Sequence, residues 1–404
     1  MNIGIVTTWF ERGAAYVSRQ FMDVLSKDNN VFVYARGGES YAIGNHKWDL
    51  PNVHWGKRCN GKLAYINGTY IDKSDFINWI KRNKIEAILF NEQRWFQPLL
   101  WCKKMNVKTI AYVDYYTENT IPLFDVFDCL VCNTKRHAFA FRHHTNVNYM
   151  KWGTDLNLFK PTSQKHDKLT FFHSAGMDPI RKGTDVVITA FYNASNRQNS
   201  TLLIHTQVPL EKHIPEQSAM IKELLDEGTL EIVEKTITAP GLFYRGDVYV
   251  YPSRLDGIGL TLMEGIASGL ACITIDNAPM NEFIENDFGR VCDVDYYYSR
   301  YDGYYWPMAV PSTESLKTIF NDFINGKYNI EEMKKAAREY AVKELDFSKN
   351  CEALSHMIQS TEFCPIDSRL VSRINEFDKR GMQGIGYYIY PIYYVKKMLK
   401  ILKK

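Results

Sequence analysis

The sequence predicts an α/β protein made of two parallel-sheet domains facing a central cleft, with a C-terminal helical extension. Three observations carry that expectation. Short, continuously apolar strands alternate with helical stretches, the pattern of parallel sheets covered on both faces. That rhythm breaks near residues 150–165 and then restarts, dividing a chain of 404 residues into lengths suited to single domains. After about residue 330 the sequence turns helical and charged. The reading is therefore a first domain over 1–160, a second over 161–355 and an extension over 356–404.

Composition narrows the class. A hydrophobic fraction of 45% and a charged fraction of 24% suit a globular protein rather than a disordered one. With 49 basic and 46 acidic residues the net charge is only +3, without the strongly basic footprint of a nucleic-acid binder. The opening MNIGIVT reads as a buried strand rather than a secretory signal. No uninterrupted apolar run reaches the roughly 18 residues of a spanning helix. Eight cysteines, most in apolar runs, read as buried thiols of a reducing, cytoplasmic setting. Cys129–Cys132 is a CxxC with no second pair, so strand core is the reading rather than zinc. Aromatics are abundant at 14%, including 26 tyrosines.

In the first domain, strands are expected at Asn2–Thr7, Val31–Ala35, Ala87–Phe90, Thr109–Val113 and Cys129–Cys132, with a helix over Val17–Leu25. In the second they are expected at Leu169–His173, Thr201–His205, Leu230–Val233, Val248–Tyr251 and Ala271–Ile275. Helical patterns there cover Thr184–Asn193, Glu216–Leu225, Leu260–Ser268 and Ser315–Ile324. Ligands of such sheets bind beyond the carboxyl ends of strands, so the loops after them are where chemistry is sought.

The segment Leu242–Ile284 holds the most information. The buried strand VYVY runs into Pro252–Ser253, then Asp256–Gly257–Ile258–Gly259, then a helix opening at Leu260. Glycines allow close backbone approach, and free N–H groups at a helix start suit a phosphate. Glu264, eight residues after Asp256, can accept hydrogen bonds from the paired hydroxyls of a ribose. A second segment, Phe171–Phe191, places Arg181 and Lys182 before Gly183 at another helix start.

Together these segments resemble the nucleotide-sugar site of glycosyltransferase family 4, retaining enzymes of the GT-B fold, whose two Rossmann-like domains flank a cleft. Asp256 and Glu264 stand at the family's two acidic positions, eight apart, with Asp for the usual Glu and Ile258 for the usual Phe. Lys182–Gly183 matches the family's Lys-Gly, while Met177 stands where an Arg is usual, so Arg181 is the candidate to supply that charge. Trp152–Pro161 resembles the family's interdomain linker. The resemblance implies that Lys182, with Arg181, binds the donor diphosphate, as do the amides of Gly257, Ile258, Gly259 and Leu260. It implies that Glu264 holds the ribose and Asp256 the sugar. It puts Gly13, Ala14 and Asp114 on the acceptor side; Asp114 stands where many members carry His, as acid, base or positioner.

The implied activity is transfer from a nucleoside-diphosphate sugar to a glycan acceptor, lipid-linked in surface polysaccharide assembly, with no metal and no cofactor. Two other readings stay open: a degenerate member that binds nucleotide or glycan as a partner, and a nucleotide-sugar epimerase. Asp293–Val294–Asp295 is formally a DxD but reads as a chance tripeptide. Near the C-terminus, Val395, Met398, Leu399 and Leu402 share a helical face against five lysines, after a tyrosine cluster from Tyr387 to Tyr394. That pattern suits an anionic membrane surface, giving a peripheral protein on the inner face of the cytoplasmic membrane, or a helix packed back on the first domain. A further cluster, Tyr296–Tyr305 with Trp306, reads either as a glycan-facing loop or as a clamp for that tail.

Overall fold

A computed structural model describes residues 1–58, 68–162 and 166–379. The chain forms two compact units. One comprises Met1–Asn133, His137–Met150 and Glu352 onward; the other comprises Thr134–Arg136 and Lys151–Cys351. This division departs from the sequence boundaries in three places, one of them the grouping of Thr134–Arg136 with the second unit. Residues 151–160 group with the second unit, because Thr154 bridges Asp346 and the Trp152 carbonyl accepts from Asn350 Nδ2 at 3.0 Å. Glu352 onward rejoins the first unit instead of standing apart.

Among the described residues the first unit has seven strands: β1 (Asn2–Thr7), β2 (Asn30–Ala35), β3 (Val53–Trp55), β4 (Ala87–Asn91), β5 (Lys108–Val113), β6 (Cys129–Cys132) and β7 (Val147–Tyr149). All pairs are parallel, in the order β3-β2-β1-β4-β5-β6-β7. Central strands such as β4 and β6 are buried at every residue, which is why they read as unbroken apolar runs. Cys129 and Cys132 sit in that core, where burial pushes the thiols up to about 11 and about 12. The edge strands β3 and β7 escaped the sequence reading; three residues long and only partly buried at best, they carry no apolar run to detect.

The second unit repeats the plan with β8 (Leu169–Gly176), β9 (Ser200–Thr206), β10 (Leu230–Glu234), β11 (Val248–Tyr251), β12 (Ala271–Ile275) and β13 (Gly289–Cys292). These are again parallel, in the order β10-β9-β8-β11-β12-β13. Both orders are the Rossmann arrangement, whose direction reverses beside the first strand of each sheet. Helices Thr184–Tyr192 and Thr313–Ile324 cover one face, with Phe171, Phe191 and Phe320 meeting edge to face at centroid distances of 4.8–6.1 Å. An antiparallel hairpin, β14 (Val294–Tyr298) and β15 (Met308–Pro311), follows β13.

Among the contacts that tie the returning segment to the rest of the first unit is a buried carboxylate, Asp128. Asp128 accepts from Lys103 Nζ at 2.5 Å, from the Thr109 amide at 2.7 Å and from the Cys364 amide at 2.6 Å. Lys103 also donates to the Cys364 carbonyl at 2.8 Å. Removing one partner of a buried pair leaves an uncompensated charge. Asp128→Ala should therefore lower stability by about 3–5 kcal/mol, read as a fall in the urea midpoint.

Candidate functional site

In the second sheet the strand order reverses between β8 and β11, so the loops that leave their carboxyl ends flank the switch point. The β8 loop carries Met177 to Gly183 into helix Thr184–Tyr192; the β11 loop carries Pro252 to Gly259 into helix Leu260–Ala267. Gly183 has φ +75, and a Cβ there would lie 2.5 Å from the Pro252 carbonyl oxygen. Glycine is what lets the two loops touch. They are then laced together: the Arg254 amide donates to the Arg181 carbonyl at 2.8 Å, and Ser253 Oγ to the same oxygen at 3.3 Å.

Behind the loops His173 is fully buried. Its Nδ1 donates to the Val250 carbonyl at 2.8 Å, leaving Nε2 to accept from Thr184 Oγ1 at 2.8 Å. Burial pulls its pKa down to about 4, so the ring stays neutral and that tautomer is kept. Arg254 locks the same corner with a two-pronged contact to Asp185 at 2.8 and 2.7 Å.

The charges converge on one oxygen. Asp256 Oδ2 lies 2.5 Å from Lys182 Nζ, 2.5 Å from the donating Tyr251 hydroxyl and 3.3 Å from an Arg181 nitrogen. The Lys182 ammonium also stands over the Tyr251 ring, 4.6 Å from its centroid, while Arg181 donates to the Leu255 carbonyl at 2.9 Å. Burial alone would raise the Asp256 carboxyl, but the charges of Lys182 and Arg181 outweigh it and hold it well below the usual carboxylate range. Burial pulls Lys182 down, opposed by Asp256. Met177 is 72% exposed, whereas Arg181 brings a second cation to Asp256 at 3.3 Å.

Gly259, at φ +75, precedes a helix start that has no side-chain cap, and Ile258 tucks its side chain into the interior. Gly257 and Leu260 flank them on the same turn. Glu264 follows one turn into the helix; burial pushes it up to about 8, with only Lys182 acting in the other direction. The resulting site offers two cations and a helix start for an anion, beside two carboxylates of opposite character.

The first-unit candidates sit at the equivalent edge of their own sheet. Gly13 opens helix Gly13–Leu25 after β1, and Ala14 accepts from Asn91 Nδ2 at 2.9 Å. A Cβ at Gly13 would meet nothing within 4 Å, so crowding within the chain does not require glycine there. Asp114 follows β5 and is partly buried. Beside them is a network that no motif announced: buried Arg36 donates to Thr8 Oγ1 at 3.0 Å, Glu39 at 3.0 Å and the Asn91 carbonyl at 2.6 Å. Also outside the sequence reading were Tyr251, His173 and Arg254. Each lies in or beside an apolar strand and looks like core until the fold brings its partner.

A carboxyl raised in the native state binds a proton that the unfolded chain has released. Glu264 therefore contributes stability that is complete below about pH 4.5 and is lost as pH rises through about 8. Glu264→Gln should flatten that decline. Its unfolding free energy from urea titration should match the parent near pH 5 and exceed it near pH 8.5, by on the order of 1–3 kcal/mol.

Comparisons with known proteins bear on the fold and the reaction class. Residues 168–300 match the family described as Glycosyl transferases group 1. No curated protein matches the chain. Among solved structures, a glycosyltransferase from Rickettsia africae ESF-5 is similar with a TM-score of 0.69 at 14% identity, covering 89% of this chain and 99% of that one. HepE of Anabaena in complex with UDP and glucose gives a TM-score of 0.66 at 14% identity, over 89% of this chain and 99% of that one. WaaG, a glycosyltransferase involved in lipopolysaccharide biosynthesis, gives 0.61 at 16% identity, over 89% and 100%. At these identities the structures speak for the GT-B fold, and the matched domain speaks for the chemistry: the chain is a glycosyltransferase.

Proposed function

We propose that the chain is a retaining glycosyltransferase, of the family 4 kind, that moves a sugar from a nucleoside-diphosphate sugar to a glycan acceptor. The observation that carries this is the meeting of Lys182, Arg181 and Asp256 at the switch point, beside an uncapped helix start. Lys182, Arg181 and the amides of Gly257–Leu260 take the diphosphate, where negative charge grows as the sugar–phosphate bond breaks. Glu264 accepts from the ribose hydroxyls and Asp256 from the sugar. The bond from the anomeric carbon to the diphosphate oxygen breaks with its electron pair leaving on the phosphate. The acceptor oxygen bonds that carbon on the same face, and its proton passes to the departing phosphate oxygen. Gly13, Ala14 and Asp114 serve the acceptor. The basic pair meets the leaving charge without a metal or cofactor in this scheme.

Two neighbours support finer choices. HepE is described in complex with UDP and glucose, which favours a uridine donor. WaaG is described as acting in lipopolysaccharide biosynthesis, which favours a lipid-linked acceptor in surface polysaccharide assembly on the inner face of the cytoplasmic membrane. No helix among the described residues is long and apolar enough to cross a membrane, so attachment would be peripheral.

Incubation with UDP- and GDP-sugars, following nucleoside diphosphate release with and without acceptor, tests the reading. Lys182→Ala and Glu264→Ala should each lower turnover by about a hundredfold or more at a temperature where circular dichroism shows the variant folded. Full activity in both variants refutes the assignment. The expected membrane tail, 387–404, lies outside the described residues. Its deletion should abolish co-sedimentation with anionic vesicles; unchanged binding excludes that role.

A further inference from the structure

The β14–β15 hairpin belongs to no part of the donor site, yet it displays a run of tyrosines to solvent. Tyr296, Tyr297 and Tyr298 are 59%, 55% and 40% exposed, and Tyr301 at the turn is fully exposed. Tyr296 and Tyr298, two residues apart on one face, hold their rings 6.4 Å apart and 42° from parallel. Burying such side chains is the usual outcome for an aromatic-rich strand, so an outward row calls for a ligand.

Position and charge say which. The hairpin leaves the carboxyl end of β13, the edge of the sheet that carries the donor loops. It is fastened to that site directly, the Ala309 amide of β15 donating to the Arg254 carbonyl at 2.9 Å. The turn is stiffened by Arg300, which grips Asp302 at 3.0 and 2.6 Å, and by the Tyr304 amide donating to Asp302 at 3.2 Å. Residues 293–306 contain three aspartates and one arginine; Arg300 pairs with Asp302, which leaves an excess of two carboxylates, Asp293 and Asp295. An acidic tyrosine surface repels an anionic bilayer and a polyanionic glycan alike. It suits the C–H faces of neutral pyranose rings, which stack on aromatic rings while their hydroxyls bond to tyrosine hydroxyls and carboxylates.

We propose that the hairpin is a carbohydrate-binding platform that holds a neutral, non-reacting stretch of the glycan beside the donor site. This rests on the reading of a glycan acceptor. Two rings at 6.4 Å present stacking faces to neighbouring sugars of one chain, so the platform reads several units rather than a single one.

The test compares the parent with a Tyr296→Ala/Tyr298→Ala/Tyr301→Ala variant and with the corresponding triple Phe variant. Affinity electrophoresis in gels of hydroxyethylcellulose, glycogen or galactomannan measures glycan binding, and nucleoside diphosphate release without acceptor measures the donor site. The parent should be retarded in at least one gel. The Ala variant should bind at least about tenfold more weakly, with the Phe variant between them and donor hydrolysis unchanged in all three. A parent retarded by none of the glycans overturns the proposal, as does equal retardation of parent and Ala variant. Loss of binding to phosphatidylglycerol vesicles in the Ala variant, with glycan retardation kept, overturns it in favour of a membrane surface. Tyrosine-dependent retardation without any donor turnover sustains the platform and defeats the transfer reading instead.

Discussion

The donor side of this protein depends on one carboxylate oxygen. Asp256 Oδ2 collects Lys182 and Arg181 from the loop after β8 and Tyr251 from the end of β11, so a single acceptor closes the gap at which the sheet changes direction. The loops could not come so close without Gly183, whose missing side chain admits the Pro252 carbonyl. Nor would they keep their places without His173 and the Arg254–Asp185 pair behind them. Backbone shape, a neutral imidazole and an ion pair thus converge to put two cations where a ligand's negative charge would arrive. Burying such charges is costly, and the geometry is tolerable only because each has an opposite charge or a hydrogen bond in reach.

That arrangement has a consequence for binding. Lys182 is already neutralised by Asp256, so a diphosphate does not meet a bare ammonium; it competes for one. The competition favours an entrant that brings two negative charges and can use the helix start as well as the side chains. A ligand with one weak charge has less to offer than the carboxylate it must displace. The same carboxylate is shorter by one methylene than the glutamate the family pattern would place there. Its Oδ2 is engaged by three donors, Lys182, Tyr251 and Arg181. Specificity at this end of the site is therefore coupled to the position of Lys182.

Much of this was legible from the chain. Central strands buried on both faces must be apolar throughout, so Asn2–Thr7, Cys129–Cys132, Val248–Tyr251 and Ala271–Ile275 were recovered residue for residue. Edge strands face water along one side and are short, so Val53–Trp55, Val147–Tyr149 and Gly289–Cys292 left no periodic trace. The spacing from Asp256 to Glu264 and the Lys182–Gly183 pair pointed to the candidate site, because a helix start and its glycine are local features. His173 and Arg254 were illegible for the opposite reason: their partners lie 77 and 69 residues away. The attachment of Cys364 to Asp128, across 236 residues, is of the same long-range kind.

Charge also separates the two surfaces of the second unit. The switch point gathers cations within a few ångströms of one another, whereas the neighbouring hairpin carries aspartates among tyrosines. A nucleoside diphosphate is drawn to the first and repelled by the second; a neutral sugar chain gains little from the cations and most from the rings. The hydrogen bond from Ala309 to Arg254 joins the two surfaces. For an enzyme that must hold two sugars of similar shape, one carrying a diphosphate and one not, sorting them by charge before sorting them by stereochemistry is a physically economical solution. It requires only that the acidic residues lie on the outward hairpin and the basic ones in the loops beneath, which is where the sequence places them.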